Sequence, residues 1–326
     1  MVIRKPVYYD DFRCAAGACP DSCCHEWEIQ VDAAAAERYR MLSGTLGDAL
    51  HEALREENGE TLMTLRNGRC PMWRPDGLCR IQAELGEQAL CQVCRDFPRL
   101  CHDYGDFQEK MLELSCPEAA RWILGEACLW VEEATPQVGE GDYDPADMKL
   151  LLESRERARA ILAGEKTPGR KLAGLLLLGI ETQQILDGEA DPEAPGDAEA
   201  MSVPASVQEA VPFYEKLEIL TERWRKRLAL AEDRPLPRQA VPMARYLVDR
   251  YWLQAVSDLD LYGRVKFMLL SVLLTASLPG SFPENAQLWS KEIENDPDNV
   301  DAILDGAYQE PAFADGKLLG MLLQFE

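Results

Sequence analysis

No cysteine occurs in residues 129–326, although the chain carries 11 of them between Cys14 and Cys128. Structural thiols would be scattered over both halves, so this confinement argues for metal ligation rather than packing. An odd count with two adjacent members also makes a poor disulfide framework. Long apolar runs are lacking too. The most apolar stretch, FMLLSVLLTASL at 267–278, is too short to span a bilayer. The opening MVIRKPVYYDDF has no signal-peptide apolar core, so a cytoplasmic location with no membrane association is expected. Positive charge is scarce: 34 Lys and Arg against 57 Asp and Glu leave a net charge of −23. Such a field repels phosphate backbones and disfavours nucleic acid, while it tolerates a cationic protein surface or a lysine side chain. The 3 histidines are separated and form no triad, and no serine elbow accompanies them, which argues against a hydrolase. No G-x-G-x-x-G turn, no internal repeat and no regular strand–helix alternation is evident, so a doubly wound α/β sheet is not expected.

The periodicity that is present is helical. MKLLLESRERARAILAG (148–164), RKLAGLLLLGIETQQIL (170–186) and YEKLEILTERWRKRLALA (214–231) space apolar residues by three and four. Two further helices are expected within 244–278, separated near Asp258–Tyr262, and three shorter ones around Leu288, Ile303 and Leu319. The acidic, Pro- and Ala-rich segment 187–206 reads as a loop or linker. In the N-terminal third, 32–44 and 46–57 look helical, GTLG at 44–47 reads as a turn joining them, and 79–100 holds one or two helical pieces stopped before Pro98. Hairpins are expected at Asn67-Gly68 and within HDYGDFQEKML. The fold class is therefore mostly α: an irregular cysteine-rich metal-binding domain over 1–128, then a helical domain over 129–326.

Four groups of cysteines carry the chemistry. Cys14, Cys19, Cys23 and Cys24 form C-x4-C-x3-C-C; Cys70 and Cys79 bracket CPMWRPDGLC; Cys91 and Cys94 form C-x2-C; Cys116 stands in LSCPEAAR. Metal sites need soft thiolates converging from separate segments, and close pairs let one turn supply two of them. An iron–sulfur cluster and zinc both remain open on spacing alone. Neighbouring side chains point apart, so Cys23 and Cys24 are expected to face different neighbours. The C-x3-C-x2-C spacing of radical enzymes is not met, since Glu26 stands at the third position. Tyr8, Tyr9 and Trp27 are candidate aromatic faces for a sulfonium or alkylammonium. Glu26 and Glu28 are candidate bases, His25 a candidate ligand, and Arg264 a candidate partner for a carboxylate.

KPVYYDDFRCAAGACPDSCCHEWEIQVD, RCPMWRPDGLCRIQAELGEQALCQVCRDFPR and LSCPEAARWIL together resemble the N-terminal part of the flagellin lysine-N-methylase family. That part is similar to a broader group of zinc- or iron-chelating cysteine-rich domains. The resemblance continues through YLVDRYWLQAVSDLDLYGRVKFMLLSVLL and WSKEIENDPDNVDAIL. It implies methyl transfer from S-adenosylmethionine to lysine ε-amines of flagellin, and it places Cys14, Cys19, Cys23, Cys24, Cys70, Cys79, Cys91, Cys94 and Cys116 on family motif positions. Cys101 and Cys128 fall outside the motifs and read as packing thiols. Two other readings stay open: a non-catalytic iron–sulfur or zinc protein that binds a partner, and a redox or radical enzyme using S-adenosylmethionine differently.

Overall fold

The computed structural model of the chain describes residues 1–125, 129–189 and 196–326. Cys128 and the middle of the acidic segment therefore lie outside the described residues. The chain opens with β1 (Val2–Pro6) and enters an irregular cysteine-bearing loop that holds one 3-10 turn at Ala16–Ala18. After β2 (Ile29–Gln30), Asp32 caps α1 (Ala33–Met41) by accepting the Ala35 amide, and α2 (Gly44–Ala53) follows. GTLG is thus the first turn of α2 rather than a connector.

The helical reading of 46–57 holds only to Ala53. Residues 54–57 form β3 (Leu54–Glu57), which turns back into β4 (Glu60–Met63). The cause is the Asn58-Gly59 pair, both at positive φ (50° and 86°), as a tight hairpin turn requires. The three strands order as β2-β4-β3, and Ile29 and Leu54 both lie opposite the buried Met63. Asn67-Gly68 makes the expected turn, also at positive φ, with Arg66 bridged to Arg69. The short helices α3 (Arg80–Leu85) and α4 (Gln92–Asp96) come next.

The second expected hairpin is β5 (Arg99–Asp103) and β6 (Phe107–Leu112), closed by the Asp103 carboxylate accepting the Gly105 amide at 2.9 Å. After α5 (Pro117–Ile123) the chain returns as β7 (Trp130–Ala134) and completes a mixed sheet of order β5-β6-β1-β7. In it Ile3 lies opposite Gln108 in a parallel register and opposite Glu133 in an antiparallel one.

The remainder is helical, as expected, except that a short helix stands at 198–201 within the segment read as a loop or linker. It comprises α6 (Pro145–Ala163), α7 (Pro168–Leu186), α8 (Ala198–Met201), α9 (Val211–Tyr214), α10 (Glu222–Leu228), α11 (Ala240–Tyr251), α12 (Leu261–Ser277), α13 (Phe282–Trp289), α14 (Pro297–Gln309) and α15 (Asp315–Leu323). The single helix read over 214–231 is a correction: Tyr214 ends α9, and beyond it only Glu222–Leu228 is helical there. Thr221 sits extended and caps α10 through the Trp224 amide, while the Glu218 and Leu220 amides are drawn off to Asn299 and Glu292. Tertiary hydrogen bonds thus override a local helical pattern.

Two hydrophobic clusters result. The smaller packs Ile29, Val31, Tyr39, Leu50, Met63, Met72 and Ile81 together with Cys70 and Cys91. The larger surrounds α12, which packs against α7, α11, α13 and α14 and also gathers Tyr8, Phe12, the sheet and α5. Among the described residues no helix is long and apolar enough to cross a membrane.

Candidate metal centre and adjoining cleft

The segments that separate the cysteines in sequence bring most of them together in space. Residues 23 and 24 lie in a turn, and the Cys70 amide donates to the Cys24 carbonyl at 2.8 Å, which docks the CPMW segment on the cysteine pair. Cys79 and Cys91 stand at the N-terminal boundaries of α3 and α4, and Cys116 at that of α5. Backbone N–H groups at such positions favour a thiolate.

The thiols influence one another. Cys24 lies within thiol hydrogen-bonding reach of both Cys23 and Cys70. That proximity holds Cys23 down at about 7 and also lowers Cys70, while Cys24 itself is pushed far up. In the same way Cys94 lies within reach of Cys91, which is lowered to about 7 as Cys94 rises. The two sets feel one another: Cys94 responds to Cys23 and Cys70, and Cys79 to the same two. Burial pushes Cys79 up, opposed by the amides of Gln82 and Ile81. Cys116 forms a second neighbourhood with Cys19 and Cys14, and burial raises it to about 11.

The expectation that Cys23 and Cys24 face apart is therefore corrected. They stand close enough to shift each other's ionisation, because a turn does not splay successive side chains as a strand does. They still differ, since Cys24 also reaches Cys70 whereas Cys23 lies in the field of Lys291. Cys101 is exposed on β5, so it is not a packing thiol. Among the described residues, no three His, Cys, Asp or Glu side chains stand together as a formed metal cage. As a donor set the grouping does suit a thiophilic metal: soft, partly buried sulfurs arrive from the 23–24, 70–79 and 91–94 segments, and Cys23, Cys70 and Cys91 are shifted toward thiolate. The His25 Nε2 atom is buried with no partner, and its ring meets the edge of Trp73 at 4.6 Å.

The other candidate residues are dispersed. Tyr8 is buried and stacks on Trp122 at 6.0 Å. Tyr9 is half-buried beside Arg99 and Cys101, and burial raises its hydroxyl. Arg264 is committed to Asp258 at 2.7 Å, a structural ion pair. Glu28 pairs with Arg55. Trp27 does present its face to a cation, but the cation is Lys291, at 4.8 Å. Lys291 is buried, contacts Glu26 at 2.8 Å and Asp21 at 3.5 Å, and lies on a π-helical turn at Ser290–Glu294. Burial alone would raise the Asp21 carboxyl, yet Lys291, the Ser22 amide and Gln287 hold it below its ordinary value. Sequence reasoning missed Asp21, Gln287 and Lys291. The available signal for Lys291 was SKEIE, three charged residues directly after the apolar Leu288-Trp289 pair.

A cleft of about 550 Å³ opens beside the C-x2-C turn. Its walls include Gln92, Val93 and Phe97, the carboxylates Asp32, Glu60, Asp96 and Glu113, and Arg99. Glu113 is the buried one of these, its Oε1 accepting from Ser115 at 2.6 Å. Asp32 accepts the Gln92 amide at 2.7 Å, so the cleft wall and the start of α4 are one hydrogen-bonded unit.

No family model and no solved structure matches the chain. It is similar to a lysine-N-methylase from Salmonella choleraesuis, 32% identical over 133 residues, which is 39% of this chain and 33% of that protein. A lysine-N-methylase from Salmonella typhimurium matches to the same extent, so the chain spans about a third of the length of these two relatives. The flagellar biosynthetic protein FliU of Salmonella muenchen is 31% identical over 137 residues, 39% of this chain and 79% of that protein.

Proposed function

The chain belongs to the family of FliU and the lysine-N-methylases, and from that premise we propose that it is a protein-lysine N-methyltransferase that acts on flagellin with S-adenosylmethionine as methyl donor. The names of its relatives carry this reading. The acidic cleft supports it, since four carboxylates against one guanidinium suit a cationic side chain.

A lysine ε-amine, with an ordinary pKa near ~10.4, is protonated at neutral pH and has no lone pair to offer. In this reading Glu113 is the cleft carboxylate that takes the proton, because burial and the Ser115 bond fix its position. Asp32, Glu60 and Asp96 draw the cation in, and Phe97 supplies an apolar wall for its methylenes. The methyl donor, when bound, supplies an electrophilic methyl on a sulfonium. The thiols of Cys23, Cys24, Cys70, Cys79, Cys91 and Cys94 would hold an iron–sulfur cluster or zinc, with Cys14, Cys19 and Cys116 as the second neighbourhood. Such a group would supply local charge and cross-link the loops.

Co-expressing a flagellin with and without the chain, then weighing the intact flagellin, tests this function. Increments of one methyl mass are expected on lysines. Unmodified flagellin beside a folded, metal-loaded chain would favour the partner-binding reading instead. Formation of 5′-deoxyadenosine rather than S-adenosylhomocysteine would favour the radical one.

A further inference from the structure

One helical turn reaches across from the large core to the cysteine loop. The Gln287 side-chain amide donates to the Asp21 carboxylate at 2.9 Å and to the Ser115 carbonyl at 2.7 Å. Asp21 lies between Cys19 and Cys23, and Ser115 immediately precedes Cys116. One amide group thus ties together the two segments that bring Cys19 and Cys116 into a common field. Four residues on, Lys291 contacts Asp21 and Glu26, which bracket the Cys23–Cys24 pair, and lies over the Trp27 ring.

The backbone explains how this is possible. In the π-turn Ser290–Glu294 the Asn295 amide bonds back to the Ser290 carbonyl at 3.1 Å. Within it Lys291, Glu292 and Glu294 are all buried, and each has a different set of partners. Lys291 serves the cysteine loop, Glu292 holds Thr221 and the Leu220 amide, and Glu294 takes Arg250, Tyr246 and Tyr251. A buried ammonium is costly unless it is paired, and this one is paired with the cysteine loop alone among the contacts described.

We propose that Gln287 and Lys291 are the positioning residues of the cysteine site: they set the register of the Cys19–Cys24 loop against Cys116, and Lys291 supplies a buried positive charge that offsets thiolate charge once metal is bound. The charge part rests on the metal reading above; the register part does not. Thiolates crowding one site repel one another, so an ammonium held on Asp21 and Glu26, which flank the pair, favours the loaded state.

The test uses the full chain, prepared without oxygen, as wild type and as Lys291→Met, Lys291→Arg, Gln287→Leu and Asp21→Asn. In metal-free protein, amide hydrogen exchange over residues 14–24 should speed at least tenfold in Lys291→Met and Asp21→Asn. Gln287→Leu should also loosen residues 113–117, while the β5–β6 hairpin stays at its wild-type rate. After loading with iron and sulfide, or with zinc, Lys291→Met should hold at least threefold less metal per chain. Lys291→Arg should recover most of it, and any iron chromophore remaining in Lys291→Met should shift its absorption maximum. Wild-type exchange over 14–24 in a folded Lys291→Met chain would overturn the latch. Should that variant fail to fold, wild-type exchange in Asp21→Asn would overturn it equally. Undiminished metal content in Lys291→Met would overturn the charge role, and a wild-type chain that takes up neither metal would sink the metal reading by itself.

Discussion

Burial raises the Glu292 carboxyl to about 7, against the opposing bonds from Thr221 and Leu220. Its unfolded value is the ordinary ~4.3. Below that pH both states carry the proton and the residue costs nothing. As pH rises through the window to about 7 the unfolded chain ionises first, so folded stability falls. Urea unfolding at several pH values should show wild type losing roughly 3 kcal/mol relative to Glu292→Gln between pH 4.5 and 7.5. A parallel pair of curves would mean that Glu292 is solvated. The cysteines make a second residue-scale prediction. Cys24→Ser removes the thiol within reach of both Cys23 and Cys70, so metal per chain and melting temperature should fall together. Cys101→Ser, on exposed β5, should change neither. Equal metal content in both variants, read by elemental analysis, would remove Cys24 from the site.

Between elements, charge is buried where sheet meets helix. Arg155 of α6 and Glu109 of β6 form a bidentate pair at 2.7 and 2.6 Å with both side chains buried. Arg155→Met strands the glutamate and should cost about 3–5 kcal/mol, whereas Arg155→Met with Glu109→Leu should recover most of that loss. Denaturant midpoints for the single and double variants decide it; an additive double loss would show that packing, not the stranded charge, sets the cost. Nearby, Asp249 accepts from Trp130 of β7 at 3.2 Å and pairs with Arg159 of α6 at 2.6 Å. These links fix the sheet on the helices and so fix Glu113, which follows β6 directly, against the cleft.

For the molecule as a whole, the surplus of acid has a place to act. If the cleft receives lysine, Glu60→Gln with Asp96→Asn should raise KM for a flagellin substrate about two- to fivefold, since exposed charges are each worth only a few tenths of a kcal/mol. Salt should weaken wild type more than the double variant, because screening removes what the variant already lacks. Steady-state kinetics at two ionic strengths reads both. A KM unchanged by the substitutions would place the substrate elsewhere. Glu113→Gln, by contrast, should lower kcat with little change in KM if that residue takes the proton.

Composition and periodicity alone determined that the chain is mostly helical, where its long helices run, and that its thiols belong to one half. Those features are local or additive: a 3.6-residue repeat, a capping Asp, an Asn-Gly turn and a count of cysteines are all visible along the line of the chain. The spacing also marked Cys91 and Cys94 as partners, since one short turn brings them together. Other features were settled only when distant segments met. The apolar pattern at 214–231 breaks because Glu292 and Asn299 take its amides. Cys70 reaches Cys24 because the CPMW segment docks on the Cys23–Cys24 turn, and Arg264 is spoken for by Asp258. Lys291 looks like any helical lysine until the cysteine loop folds over it. Burial and ion pairing are properties of a neighbourhood, and for this lysine the neighbourhood lies some 270 residues away along the chain.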